Sequence, residues 1–327
     1  MNIRVLRAAE VRALLPMADC IELMRRTMIA VSEGRVVLPL RSILIMPNGR
    51  GMMGNMPGYL ADPECFGVKL VSLMPHNKPP QYSSHLGLVI LFESEHGCPV
   101  GLLDAAEITA IRTAAASALA TRLLARPDAG DLAILGAGEQ AQSHLAAMLV
   151  VRTLRRVRVW ARDSAKAAAF AEAESARHRI AIETSATVEE AVAGADIICT
   201  LTKAREPILF GDWLGAGVHL NVVGSSAATS AEIDTQAVVK ARFFVDCRNS
   251  TTHEGGEYLR ALRAQVITAD HILAEIGEVA NGSKEGRRSV SDVTLYKSLG
   301  IAPQDLACAH YLLEKARVSG VGQIIEF

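Results

Sequence analysis

Aromatic residues are scarce in this 327-residue chain: Phe, Tyr and Trp make up 4% of it, against 50% for hydrophobic residues as a whole. The core is therefore expected to be Ala, Val, Leu and Ile, a composition that suits buried parallel strands covered by Ala-rich helices. An excess of charge is missing too. The formal net charge is −1 and no basic run occurs, which argues against nucleic acid or an anionic membrane as a partner. No apolar stretch approaches the ~20 residues needed to span a bilayer. The N-terminus, MNIRVLRAAEVRALLPMADC, has charges throughout and lacks the uninterrupted apolar core of a signal peptide. Cysteines stand at 20, 65, 98, 199, 247 and 308, with no Cys-x-x-Cys pair and no Cys/His set at zinc spacing. Buried, reduced thiols in a cytoplasmic protein without a metal site are the expectation.

Two patterns divide the chain. Ala8 to Leu15 and Met17 to Gly34 read as helices, the second with Ile21, Met24, Met28 and Val31 on one face. Strand-like runs follow at Leu40–Ile45, Cys65–Leu73, Leu86–Glu93 and Pro99–Asp104, separated by Gly- and Pro-rich loops. A long Ala-rich helix from about Glu107 to Leu124 ends before Pro127. Strands clustered early with one long helix after them indicate an α+β domain. From Asp128 onward short apolar strands alternate with helices at βαβ spacing: Leu132–Leu135, Val157–Trp160, Ile180–Glu183, Ile197–Leu201, His219–Val223 and Phe243–Val245. That alternation implies a parallel sheet with right-handed crossovers. Asn281–Ser291 reads as a polar surface loop, and a last helix spans Gln304–Ser319.

Gly136-x-Gly138-x-x-Ala141 lies between a four-residue apolar strand and an amphipathic helix. Gly136 permits the tight turn, Gly138 lets the backbone approach a pyrophosphate, and Ala141 lets the helix pack against the strand. The helix N-terminus then offers free N–H groups to phosphate. In this strand–loop–helix setting the motif predicts a dinucleotide-binding Rossmann unit with Gly136, Ala137, Gly138, Glu139 and Gln140 at the cofactor. The second strand ends Trp160-Ala161-Arg162-Asp163. Its tip carries no acid for a ribose 2′-OH, and Arg162 is placed to meet a 2′-phosphate. NADP(H) is favoured, while Asp163, one residue on, keeps NAD(H) open.

Further passages extend the pattern: Arg41-Ser42, Met56-Pro57-Gly58-Tyr59, Lys69-Leu70-Val71, Ser84-His85, Thr109 to Ala115, Glu206 to Gly211 and Lys297-Ser298-Leu299-Gly300. With the glycine loop, they make the chain resemble the ornithine cyclodeaminase/mu-crystallin family from about residue 10 to 320. The resemblance implies an α/β protein. Its Rossmann domain (124–302) is inserted in an α+β substrate-binding and dimerisation domain formed by the N-terminal part and the last helix (1–123 and 303–327). It also implies a homodimer and a small amino- or imino-acid substrate.

Roles carried by the resemblance are given as expectations. Lys69, in the apolar run Phe66–Val71, binds the substrate carboxylate or moves a proton; a lysine in a buried strand needs such a reason. Arg41 forks onto the carboxylate, and Arg112 reaches either the carboxylate or, with Thr113, the cofactor. Ser84 and His85 lie near the nicotinamide, His85 being open between proton donor and structural hydrogen-bonder. Glu254 is an acid near the substrate cavity or a surface charge. Thr200, Leu201, Lys203, Val223 and Ser298 complete the cofactor set. Cyclodeaminases of the family carry an aspartate where this chain has Ser226. Serine is no carboxylate base near neutral pH, so the resemblance leans to the mu-crystallin-like ketimine reductases. The expected function is NAD(P)H-dependent reduction of small cyclic ketimines such as pyrroline-2-carboxylate or piperideine-2-carboxylate. Two alternatives stay open: an NAD-dependent ornithine cyclodeaminase or amino-acid dehydrogenase, and an NADPH-bound binding protein with little turnover.

Overall fold

The computed structural model describes residues 2–77 and 82–326. They form two compact units, one of Met1–Arg112 with Ile301–Phe327, the other of Thr113–Gly300.

The first unit is built on a mixed sheet. Its strand order is Gln323–Glu326, Asn2–Leu6, Pro99–Asp104, His85–Phe92, Glu64–Leu73, Met52–Ala61, Val36–Val37, with Ser42–Ile45 also pairing Met52–Ala61. All neighbours are antiparallel except Asn2–Leu6 with Pro99–Asp104. Four strands of this sheet lie outside the sequence reading: Asn2–Leu6, Val36–Val37, Met52–Ala61 and Gln323–Glu326. Met52–Ala61 falls in a stretch that reads as loop because Gly54, Pro57 and Gly58 interrupt it. Pro57 lies between the pairings to Ser42–Ile45 and to Val36–Val37, where that edge carries no ladder. A residue without an N–H is tolerated at such a place. Asn2–Leu6 is too short to show a period, and Pro99–Asp104 and Gln323–Glu326 supply its partners from far along the chain.

Helix Ala302–Ser319 lies across this sheet. Glycines make the close approach possible: a Cβ at Gly58 would stand 3.1 Å from Ala302 Cβ, and one at Gly67 would meet Leu306 Cδ2 at 3.0 Å. At Gly101 it would meet Leu313 Cδ1. Helix Met17–Ser32 buries Ile21, Met24, Met28 and Val31, the face its periodicity predicts.

The second unit is a doubly wound sheet of eight strands, all parallel. The order is Ile182–Thr184, Arg156–Trp160, Asp131–Leu135, Ile197–Thr200, His219–Val222, Thr294–Lys297, Arg242–Val245, Ile272–Glu275. The chain reverses its winding between Asp131–Leu135 and Ile197–Thr200. That switch point opens the crevice at the carboxyl ends of the strands where such sheets bind ligands. The core is aliphatic, with Leu135, Ile198, Leu220, Val222 and Leu295 buried and Phe243 and Tyr258 among the few aromatics. The fold is thus the expected α/β architecture, a Rossmann unit with a second, α+β unit.

Candidate functional site

The glycine loop stands at the switch point. Gly136 has φ +128°, and a Cβ there would lie 2.6 Å from the Leu201 carbonyl oxygen. Only glycine fits the turn on both counts. Gly138 caps helix Glu139–Val151, and nothing lies within 4 Å of where its Cβ would be. The backbone is therefore open to a ligand in front of the helix N-terminus, with Glu139 and Gln140 in the first turn. Two of the expected cofactor residues support the fit. Thr113 Oγ1 and Ser298 Oγ are buried hydroxyls with no hydrogen-bond partner among the described residues. Buried polar atoms are normally paired, so each has capacity for a ligand.

On the adenosine side, Ala161 is half-buried while Arg162 and Asp163 are exposed. Asp163 caps helix Ser164–His178, its Oδ1 accepting from the Ala165 and Lys166 amides at 3.1 and 3.3 Å. Its carboxylate is committed to the helix. Arg162 makes no hydrogen bond or ion pair among the described residues. Beside this strand tip lies a recess of about 480 Å³, lined by Trp160, Ala186, Thr187, Val188, Ile208 and Trp213 among others. Trp160 ends its strand, and the others follow the carboxyl ends of Ile182–Thr184 and Ile197–Thr200. Nothing in the sequence reading singled out this recess.

A buried charge cluster underlies the loop after strand His219–Val222. Glu232 accepts from Thr200 Oγ1, from Thr202 N and Oγ1, and from Gly224 N, each at 2.7 Å. Thr200, expected at the cofactor, thus points its hydroxyl inward. Burial raises the Glu232 carboxyl above the usual carboxylate range. Lys297 Nζ lies 2.9 Å from Glu257 Oε2, and Lys297 also donates to the Ser225 hydroxyl at 2.9 Å and to the Ser225 carbonyl. Burial works to raise the Glu257 carboxyl, but Lys297, Ser225 and the Glu232 amide hold it below its ordinary value. Ser225 is thereby pinned from both sides, which leaves Ser226 exposed at the loop surface. Val223 is tied by its amide to the Thr200 carbonyl, while Leu201 is half-buried and Lys203 exposed. Glu254 is half-buried at the end of helix Arg248–Glu254.

The first unit holds a second cluster. Lys69, on strand Glu64–Leu73, points at helix Ala302–Ser319, where its Nζ lies 3.0 Å from Asp305 Oδ1. Arg112 Nε donates to the same oxygen at 3.0 Å, and Arg112 Nη1 donates to Gln304 Oε1 at 2.7 Å. Side-chain exposure is 3% for Lys69, 4% for Arg112 and 0% for Asp305. Burial, aided by the charges of Arg112 and Arg41, draws the Lys69 ammonium down to about 8, and Asp305 partly offsets that. Two cations thus share one carboxylate oxygen, with the charge of Arg41 also acting on Lys69, and buried charge needs compensation. The cluster can receive an anion.

The expected trio Lys69, Arg112 and Arg41 is therefore brought together. His85 is not: it is exposed at the start of strand His85–Phe92, hydrogen-bonded to Ser84 Oγ at 3.0 Å. Lys69 pairs with Val89, which places His85 roughly 13 Å away along the strand. Asp305 and Gln304 were missed. The available signal was an acid and an amide in the first turn of helix Ala302–Ser319, directly ahead of the apolar run Leu306–Ala309. No group of three His, Cys, Asp or Glu among the described residues is placed to hold a metal.

The family model described as ornithine cyclodeaminase/mu-crystallin family matches residues 1–320. The chain is 35% identical over 324 residues to a Delta(1)-pyrroline-2-carboxylate reductase of Bacillus cereus, covering 99% of each. It is 37% identical over 277 residues to the ketimine reductase mu-crystallin of Mus musculus, covering 85% of this chain and 84% of that one. Among solved structures it is similar to Thermococcus litoralis Delta(1)-pyrroline-2-carboxylate reductase in complex with NADH and L-proline. There the TM-score is 0.95 at 35% identity, with 98% and 99% of the two chains covered.

Proposed function

The chain belongs to the ornithine cyclodeaminase/mu-crystallin family, and from that premise we propose that it is an oxidoreductase that reduces small cyclic ketimines bearing a carboxylate. Δ1-Pyrroline-2-carboxylate and Δ1-piperideine-2-carboxylate are the substrates of that class, giving proline and pipecolate. The observation that carries the reading is the buried set of Lys69 and Arg112 on one oxygen of Asp305, with Arg41 beside it. Such a surplus of positive charge suits a substrate carboxylate, and a guanidinium grips one with two parallel hydrogen bonds. Arg41 and Arg112 hold and orient the acid. Lys69 gives a proton to the imine nitrogen as the C=N bond is reduced. A group that releases its proton near pH 8 is matched to that task.

A nicotinamide dinucleotide held on the Gly136–Gln140 loop supplies the hydride when bound. The protein's own share is orientation and charge placement. NADPH is preferred over NADH, because Arg162 is free to meet a 2′-phosphate while Asp163 is committed to a helix cap. Trp160, Val188, Ile208 and Trp213 offer an apolar seat for the adenine ring. Ser226 supplies no carboxylate base, which disfavours ammonia loss from ornithine.

The protein works as a homodimer. Ile43, Leu44, Ile45, Met53, Leu86 and Leu88 are 42–68% exposed on strands of the first unit, a patch a second copy would cover. Light scattering should give about twice the 34.9 kDa chain mass, and Leu44→Lys should shift it toward the monomer.

The first experiment is absorbance of NADPH and of NADH with each of the two ketimines. Rapid NADPH oxidation with formation of proline or pipecolate supports the reading. No oxidation of either cofactor, with ammonia released from ornithine and NAD, would replace it by cyclodeamination.

A further inference from the structure

Asp305 is the one acid in the substrate-side cluster, and its geometry is unusual. A single oxygen, Oδ1, accepts from Lys69 Nζ and from Arg112 Nε, each at 3.0 Å. The other oxygen, Oδ2, is buried and has no hydrogen-bond partner among the described residues. A structural carboxylate between two cations would be expected to use both oxygens, since an unpaired buried lone pair is unfavourable. The arrangement instead draws the Lys69 and Arg112 side chains to one point.

We infer that Asp305 is the positioning residue of the site: through one shared oxygen it fixes Lys69 and Arg112 relative to each other and keeps Lys69 protonated for donation to substrate. The inference rests on the reductase reading for the donation step, while the charge relationship stands on the side-chain geometry alone. Asp305 itself touches neither substrate nor cofactor in this scheme and acts through Lys69. Its place in the fold explains why it can do so. It lies in the first turn of helix Ala302–Ser319, and the glycines at 58 and 67 let that turn approach the strand carrying Lys69.

The groups facing Lys69 are few. Asp305 comes from the helix, Arg112 from helix Ala105–Leu124 and Arg41 from the segment before strand Ser42–Ile45. Its neighbours across the sheet, Met56 and Val89, carry no charge. Cys308, one turn beyond Asp305, has a thiol pushed well above its ordinary range by burial beside Cys20 and stays neutral. Among these groups only Asp305 favours the ammonium form. Removing its charge leaves burial and two guanidinium groups, all of which disfavour it.

The test is the titration of Lys69 in wild type and in Asp305→Asn, followed by NMR of 13C-labelled lysine, with the Lys69 signal assigned through Lys69→Arg. The midpoint should move to lower pH by about one unit or more, the range for loss of an opposite charge at this distance. The basic limb of the reductase pH profile should move with it, and kcat at pH 6 should fall as well, because Lys69 and Arg112 lose their shared anchor. A purely structural aspartate would lower kcat equally at every pH and leave the midpoint in place. Should Asp305→Asn not fold, Asp305→Ser removes the same charge and carries the same test. An unmoved Lys69 midpoint in the folded variant overturns the inference, whatever the enzyme turns over. An absence of ketimine turnover in wild type, with the midpoint shifted, overturns the reductase reading alone and leaves the charge relationship standing.

Discussion

Lys297 Nζ and Glu257 Oε2 stand 2.9 Å apart with neither side chain exposed. The pair ties strand Thr294–Lys297 to helix Gly256–Arg263 and holds Ser225 between them. Breaking such a pair strands a charge in the interior. Lys297→Met should therefore lower stability by about 3–5 kcal/mol in urea unfolding. Adding Glu257→Gln removes the stranded charge yet keeps an acceptor for Ser225 and the Glu232 amide, so the double variant should recover much of the loss. If the two single losses simply add, the pair is not coupled as the geometry demands.

Gly136 and Gly138 sit two residues apart and should fail in different ways. Alanine at 136 is strained by φ +128° and collides with the Leu201 carbonyl, so it should destabilise by about 1–3 kcal/mol. Valine at 138 meets open space at an extended φ of −101°. Gly138→Val should melt close to wild type, yet its side chain fills the room meant for pyrophosphate. Dinucleotide affinity, read by fluorescence titration, should fall by about tenfold or more, at least 1.4 kcal/mol. Normal affinity in Gly138→Val would remove the loop from the cofactor site.

Much of the Rossmann unit is legible in sequence because its defining contacts are local. Strand, turn and first helix lie within residues 131–151, so the motif is readable without the Leu201 carbonyl that crowds Gly136 from far along the chain. The Lys69 cluster is legible only in part. A lysine in an apolar strand announces a partner, but Asp305 lies 236 positions away, and no periodicity spans such a distance. The strand Met52–Ala61 is hidden by Gly54, Pro57 and Gly58, the last of which lets helix Ala302–Ser319 approach. Lys297 carried the same signal as Lys69, a lysine closing an apolar strand, and its partner Glu257 gave none. The boundary between the compact units at Arg112 and Thr113 falls inside the continuous helix Ala105–Leu124, where no turn residue marks it.

Arg162 offers a test of cofactor choice. A charge-assisted hydrogen bond to phosphate contributes about 1.5–3 kcal/mol, so Arg162→Ala should raise KM for NADPH by about ten- to a hundredfold. KM for NADH should stay within about twofold, since no 2′-phosphate is present. Initial rates with both cofactors decide it. An equal change in the two constants would mean that Arg162 acts on the shared part of the dinucleotide or on the fold.

Two histidines make the Rossmann unit sensitive to acid. His144 is buried, bonded to Ser117 Oγ at 2.9 Å and to the Gln140 carbonyl at 2.7 Å, and burial draws it down to about 4. His219, buried between Thr294 and Asn221, is drawn down to about 3 by burial and by the charge of Arg287. In the unfolded chain both titrate near 6.5. Both folded values are depressed, so the unfolded state binds more protons below about pH 6.5. The stability these neutral imidazoles permit is thus fully present above that pH and is lost as pH falls toward 4. Each contributes a slope of about 1.4 kcal/mol per pH unit within that window. Unfolding free energies measured from pH 7 to 4 should show this decline, with carboxylates adding to it at the acid end. His144→Gln keeps hydrogen-bonding capacity but cannot titrate, so its decline between pH 6.5 and 4.5 should be shallower than wild type by about one proton's slope. A parallel decline would mean that His144 already binds its proton in the folded state.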